Sequence, residues 1–273
     1  MVAAVAKLKF IHITDLHLVK PGEILWGFDP LSRLDACLAD IAAHHGDAAF
    51  CAITGDLAEA GNRQAYESLK QRLANFPVET HLMLGNHDDR AAFISVFGGA
   101  DQYGFIQHRI VREGCHFLFL DTLKGPPSSA GRYDAPRRAW LRAALSEAGQ
   151  APVYLFMHHP PFDIGHDLMD LIKLDDAEDF ARLLRGHDVR HIFFGHAHRP
   201  VTGQWRGIAL SALPSLVHQL PLNGGSVATV YSDEPPMYGV VLIEDDRTIV
   251  HADAFLNRTP ARMSPDEERS DWY

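Results

Sequence analysis

Asp15-Leu16-His17, Gly55-Asp56, Gly85-Asn86-His87, His158-His159 and Gly195-His196-Ala197-His198 are the places where this chain could do chemistry. Each follows an apolar run of strand character. In "HLMLGNHDDR" the run His81 to Leu84 breaks at Gly85 into Asn86, His87, Asp88 and Asp89. The donors are mostly imidazole and carboxylate, with one neutral amide. Such a set suits Zn, Fe or Mn better than Ca or Mg, which prefer oxygen. No cysteine is among them, which argues against a structural zinc site. Residues i and i+2 of an extended segment point the same way. Asp15 and His17 are therefore expected to face one ion, and His196 and His198 to reach toward two neighbouring ions. Counting donors, Asp15, His17 and His198 could hold one ion and Asn86, His158 and His196 the other, with Asp56 as a bridging carboxylate. Each ion keeps open positions, the arrangement in which two ions about 3.5–4 Å apart and an activated hydroxide drive displacement at phosphorus.

Bringing these groups to one edge requires strands that end together. "LKFIHITD", "AAFCAITGD", "VETHLMLGN", "APVYLFMH" and "VRHIFFGH" read as strands. Helical patterns lie between them: "LSRLDACLADIAAHH" with Leu31, Leu34, Leu38 and Ile41 on one face, "NRQAYESLKQRLANF", Pro136 to Ala148, and "AEDFARLLRGH". A hairpin is expected from "FIQHRIV" and "CHFLFLDT" around Arg112 to Gly114. In an open α/β sheet, ligands bind at the carboxyl ends of the strands. From Gly203 onward the helical signal stops, and "QWRGIALSAL", "GSVATVYS", "YGVVLIEDD" and "RTIVHADAF" read as short strands. The chain is thus α/β, followed by a β-rich segment and a polar arm, "NRTPARMSPDEERSDWY".

The 273 residues are 47% hydrophobic and 22% charged, ample for a packed core. A formal charge of −10 makes a nucleic-acid polymer an unsuitable general partner. Cys37, Cys51 and Cys115 form no C-x-x-C pair and are expected as reduced core residues. "MVAAVAKLKF" lacks the order of regions of a signal peptide, and no apolar run has the roughly 20 residues a bilayer span needs. No membrane partner and a cytoplasmic location are expected.

The motifs D-L-H, G-D, G-N-H-D, H-H-P-P and G-H-A-H, in this order from Asp15 to His198, resemble those of the calcineurin-like metallophosphoesterases. That resemblance implies a four-layer α/β/β/α sandwich and a dinuclear site of Fe, Mn or Zn with the ligands counted above. It also implies that His87 binds a phosphate oxygen and protonates the leaving group. "GDLAEAGNRQAY", "GNHDDRAAF", "MHHPP" and "PSLVHQL" resemble more closely the bacterial class III phosphodiesterases, which act on cyclic nucleotides and glycerophosphodiesters. On that likeness the phosphoesterase domain spans residues 1–212. Residues 213–256 form a β-rich cap or dimer contact, residues 257–273 an arm, and the protein is a homo-oligomer, dimer or higher.

Charge counting points the same way. Two divalent ions less Asp15, Asp56 and a hydroxide leave roughly one positive charge, which a phosphodiester monoanion neutralises. A phosphomonoesterase or protein phosphatase on the same site is the alternative, and a non-catalytic scaffold of this fold the alternative of a different class. Asn86, His87, His159, His198 and His218 are candidate substrate contacts. His159 is read as orienting its neighbour or lining the pocket rather than ligating. His218 is open between pocket and core, and Arg90 between substrate contact and solvent-facing helix start. Asp88 is expected to orient His87 or to satisfy the turn backbone. Residues 162–174 could be a lid, with Phe162 and His166 facing substrate, or a plain loop. His44 and His45 read as surface residues, His12 and His81 as packed.

Overall fold

The apolar stripe Leu31, Leu34, Leu38 and Ile41 is the buried face of helix α1 (Pro30–His45) in the computed structural model. Asp29 caps this helix, accepting from Leu31 N at 3.0 Å and Ser32 N at 3.1 Å. The structure describes residues 6–222 and 230–256. In the first half, β1 (Leu8–Ile13), β2 (Cys51–Ile53) and β3 (Thr80–Leu82) alternate with α1, α2 (Arg63–Leu73) and α3 (Arg90–Phe97). There follow β4 (His108–Arg112), β5 (Cys115–Phe119), α4 (Ala135–Ala148), β6 (Val153–Met157), α5 (Asp167–Leu171), α6 (Ala177–Leu184) and β7 (Val189–Phe194). The chain closes with β8 (Val201–Trp205), β9 (Ile208–Ala212), β10 (Met237–Ile243) and β11 (Thr248–Ala254).

Two sheets result, a five-stranded one ordered β11-β10-β1-β2-β3 and a six-stranded one ordered β4-β5-β6-β7-β9-β8. Side-chain alternation divides the core between their faces. On β1, Phe10 points between the sheets, while Ile11 and Ile13 pack under α1 and α2. On β6, Tyr154 and Phe156 point between the sheets, while Leu155 and Met157 pack under α4 and α6. The shared layer is aromatic: Phe10 stacks on Phe50 at 4.7 Å, and Phe156 on Phe119 at 4.7 Å and on Phe193 at 5.0 Å. Burying each such ring contributes about 1.5–3 kcal/mol. The expected α/β/β/α layering is therefore the observed one.

Several local expectations need correction. Residues 213–256 do not form a separate β-rich unit: β10 lies antiparallel beside β1, pairing Phe10 with Val241, and β11 flanks β10. β10 buries Tyr238, Val240, Val241 and Ile243, so it belongs to the sandwich core. The polar arm and most of "GSVATVYS" lie outside the described residues. The run "QWRGIALSAL" is not one strand: it turns at Arg206-Gly207, joining the end of β8 to the antiparallel β9. α5 has too little periodicity to announce itself. Cys37, Cys51 and Cys115 are buried and free. Among the described residues no helix is long and apolar enough to cross a membrane.

Candidate metal centre

β1, β2, β3, β6 and β7 all run toward the edge where the chemistry-bearing motifs lie, but the motifs sit beyond the strands. β1 ends at Ile13 and β7 at Phe194. Asp15, His17, Asp56, His196 and His198 have φ of 54°, 42°, 49°, 69° and 49°. These are left-handed conformations, so the expectation that extended alternation aims the i and i+2 pairs is wrong. The chain is instead folded back at each ligand candidate, at a cost of about 1–3 kcal/mol per strained residue. Asp and His tolerate this region better than most side chains. Neighbouring loops hold one another there: Asp15 N donates to Gly55 O at 3.1 Å and His17 N to Asp56 O at 2.8 Å. The loops also touch through glycines. A Cβ on Gly85 would overlap Asp56 Oδ1 and come within 2.6 Å of Asp56 N and His158 Cε1, and one on Gly195 would overlap Thr14 Oγ1.

The result is two adjoining buried clusters. Asp15, His17, Asp56 and His198 present ligand atoms within 4.8 Å of one another, and so do His158, His159 and His196. Asp56 Oδ2 stands between them, 3.5 Å from His17 Nε2 and 3.3 Å from His158 Nε2. Asn86 Oδ1 is 3.2 Å from His158 Nε2.

The ring nitrogens show what the centre lacks in protons. His158 Nδ1 faces Thr54 O at 2.7 Å, His198 Nδ1 faces His218 O at 2.9 Å, and His17 Nδ1 faces Glu59 Oε2 at 2.8 Å. Facing an oxygen acceptor, each Nδ1 must carry the proton, which leaves Nε2 as a lone-pair donor. Yet His17 Nε2 and His198 Nε2 are 3.0 Å apart, beside the carboxylates of Asp15 and Asp56. Lone pairs and carboxylates converging this closely suit a bound cation. His196 Nε2 is buried with no hydrogen-bond partner among the described residues, a further atom that suits a ligand. The donor set therefore fits a pair of metal ions.

The electrostatics follow from burial and crowding. Burial would raise Asp15, but His198 and then His158 hold its carboxyl well below the usual range. Burial lowers His158, but the Asp56 carboxylate overrides it and, in the metal-free protein, brings the imidazole to about 9; an ion at Nε2 would take the place of that second proton. His196 is pushed down to about 3, first by burial and then by His158, so its ring stays neutral. His87 is opposed by burial yet rises to about 9 through Asp56 and Glu59.

The other candidates separate cleanly. His87 lines the cavity; its backbone N donates to Asp56 Oδ1 at 2.8 Å and its Nδ1 meets Glu59 Oε1 at 3.0 Å. His159 has both ring nitrogens engaged, by Thr122 Oγ1 at 2.8 Å and Ser129 O at 3.2 Å, so it has no lone pair to spare for an ion. His218 lines the cavity, its ring 4.6 Å from that of His198. Asp88 does not bond the His87 ring. It accepts from Leu57 N, Ala58 N, Gly85 N and Tyr66 Oη, tying the second and third loops together. Asp89 caps α3 through Ala92 N. Arg90 does start α3, as the helix-start reading expects, and is part-exposed, but its guanidinium turns inward to pair with both oxygens of buried Asp121 at 2.9 Å rather than lining the cavity. Phe162 packs on Phe194 and Trp205 in the outer core, and His166 is buried and does not line the cavity. Leu168, Met169 and Ile172 are the residues of that segment that line it. Sequence reasoning missed these three, Tyr231 and Glu59.

The cavity over the centre has a volume of about 230 Å³, somewhat below that of a drug-sized pocket and suited to a small ligand. The family described as calcineurin-like phosphoesterase matches residues 8–200, and the chain belongs to that family. A probable cyclic nucleotide phosphodiesterase of Rhodopseudomonas palustris is 39% identical over 259 residues, 93% of this chain and 94% of that protein. The glycerophosphodiester phosphodiesterase GpdQ of Enterobacter lignolyticus is 30% identical over 239 residues, 82% of this chain and 83% of that protein. A dimetal phosphatase from Danio rerio has the same fold, with a TM-score of 0.73 at 15% identity over 92% of this chain and 98% of that one.

Proposed function

We propose that this protein hydrolyses small phosphodiesters at a dinuclear metal site. Asp15, His17 and His198 would hold one ion and Asn86, His158 and His196 the other, with Asp56 placed to serve both. The observation that carries the reading is the position of Asp56, whose Oδ2 is 3.5 Å from a nitrogen of the first set and 3.3 Å from one of the second. Relatives named as cyclic nucleotide and glycerophosphodiester phosphodiesterases support the reaction class over nearly the whole chain. Two bound ions supply positive charge to the phosphoryl oxygens and acidify water. The donor chemistry supports Fe, Mn or Zn.

The chain's own groups do the rest. Glu59 fixes the Nδ1 proton of His87 and leaves Nε2 to meet a substrate oxygen. His87 then hands a proton to the leaving alkoxide. Asp88 holds the backbone of Gly85 and Leu57, so Asn86 and His87 are presented from a fixed turn. Lys and Arg are absent from the described cavity lining, which supports a monoanionic diester over a dianionic monoester. A homo-oligomer contacting through the segment after residue 213 is supported by exposed Leu222 and Val230; light scattering in solution checks it. A cytoplasmic location belongs to the same reading.

Metal-reconstituted protein is expected to cleave bis-p-nitrophenyl phosphate well ahead of p-nitrophenyl phosphate. Asp56→Ala should abolish turnover. His87→Ala should cost about 10²–10⁴-fold on a substrate with a poor alkoxide leaving group, and less on a nitrophenolate. Diester turnover that survives Asp56→Ala would sink the proposal.

A further inference from the structure

Trp26 sits where a tryptophan is hard to place. Leu25 and Phe28 exchange both backbone hydrogen bonds at 2.9 Å, so Trp26-Gly27 is a two-residue tip with φ of 52° and 88°. This is the pattern of a primed hairpin turn, which favours Asn-Gly and penalises a bulky first residue. The indole is 57% exposed, so burial does not offset the strain. Strain at an exposed side chain directs attention to what that side chain touches. It touches Tyr231, with ring centroids 4.8 Å apart and planes tilted by 38°. Tyr231 lies 4.4 Å from His218, whose ring is 4.6 Å from His198 and 5.0 Å from His17. Aromatic rings thus run from solvent to the metal-ligand histidines without a break.

Tyr231 also lines the cavity, and the remaining apolar lining comes chiefly from a different element, through Leu168, Met169 and Ile172 around α5. A phosphate at the metal ligands would leave the rest of the substrate between a tyrosine ring and aliphatic side chains. We propose that Tyr231, braced by Trp26, is the stacking surface for a nucleobase, so that the site prefers phosphodiesters of nucleosides to diesters of glycerol. The proposal rests on the phosphodiesterase reading of the same site. A flat, uncharged heterocycle suits this lining. A quaternary ammonium head group would need a box of rings and a carboxylate to meet it. Asp56 is the carboxylate in the described lining and is shared between the ligand clusters, while both Glu59 oxygens are taken by His17 and His87.

The test compares wild type, Tyr231→Ala, Tyr231→Phe and Trp26→Asn. In metal-reconstituted enzyme, the ratio of kcat/KM for 3′,5′-cyclic AMP over that for glycerophosphoethanolamine should fall about tenfold or more in Tyr231→Ala, chiefly through KM, and hold in Tyr231→Phe. Calorimetric binding of a phosphorothioate analogue of cyclic AMP should weaken by a similar factor. Trp26→Asn should weaken that binding too while raising the melting temperature, because Asn-Gly relieves the turn; a purely structural tryptophan would lower it. An unchanged ratio and affinity in Tyr231→Ala would overturn the proposal, as would an equal loss on both substrates or an equal loss with glycerophosphocholine. If the wild type cleaved no diester, the phosphodiesterase reading would fail, and the binding comparison would still decide the stacking.

Discussion

Glu59 shows how much of a metal site can rest on a residue that ligates nothing. One carboxylate holds His17 Nδ1 at 2.8 Å and His87 Nδ1 at 3.0 Å, so it sets the tautomer of the proposed metal ligand and the aim of the proposed proton donor together. Groups behind the ligands typically matter by 10–100-fold, so Glu59→Gln should weaken ion affinity by about that factor. It should also lower kcat. Calorimetric titration of chelator-stripped protein measures the first effect, and unchanged affinity would contradict the role. The ligand candidates were legible because each ends an apolar run in a recognisable motif. Glu59 was not, since an isolated acid in "GDLAEAGNRQ" looks like any solvated side chain. Its aim depends on the short 3₁₀ turn Glu59–Gly61, in which Ala60 takes φ of 51°. Left-handed backbone at alanine, aspartate and histidine has no signature that spacing rules can read.

Among the elements, the loops leaving β1, β2, β3 and β7 are packed so closely that glycine is a steric requirement where they cross. Gly85→Ala would press on Asp56 and His158 at once. The overpacking should cost about 1–3 kcal/mol. It should also depress diester turnover by displacing the shared carboxylate. Urea unfolding and a turnover assay check both, and wild-type values in each would refute the crowding. The strands and the helices α1, α2, α4 and α6 were readable because their apolar periodicity is strong, as the stripe on α1 shows. α5 was not, being a single five-residue turn with one buried residue, Met169. The place of β10 could not be read either: "YGVVLIEDD" announces a strand, but its pairing with β1 is a register spanning nearly the whole chain.

At the scale of the whole molecule, the layer between the sheets holds histidines among its aromatic rings, His12 and His191 at the centre and His81 and His108 toward one side. His12 Nε2 meets Thr54 Oγ1 at 2.9 Å and His191 Nε2 meets Ser211 Oγ at 2.8 Å, and neither Nδ1 has a partner among the described residues. Burial, joined by His191, pushes His12 down to about 3, and burial pushes His191 to about 4. Both stay neutral in the fold, while the unfolded chain takes up protons below its ordinary pKa of 6.5. Their contribution is therefore nil above pH 6.5 and increasingly destabilising as pH falls from there toward 4. The slope is at most about 1.4 kcal/mol per pH unit for each group. Urea midpoints across that range should fall less steeply in His191→Phe than in wild type, and an identical slope would remove His191 from the account.

The seating of β10 against β1 has a consequence for synthesis. β1 leads directly to Asp15 and His17, ahead of the other ligand candidates, yet its antiparallel neighbour β10 follows all of them in the chain. Until Met237–Ile243 has emerged, β1 is an open edge and the loop bearing Asp15 lacks one flank of its support. Such long-range pairing is slow to form. A nascent chain would carry all the proposed ligands before it had the frame to set them, so tight uptake of both ions should wait on the emergence of β10.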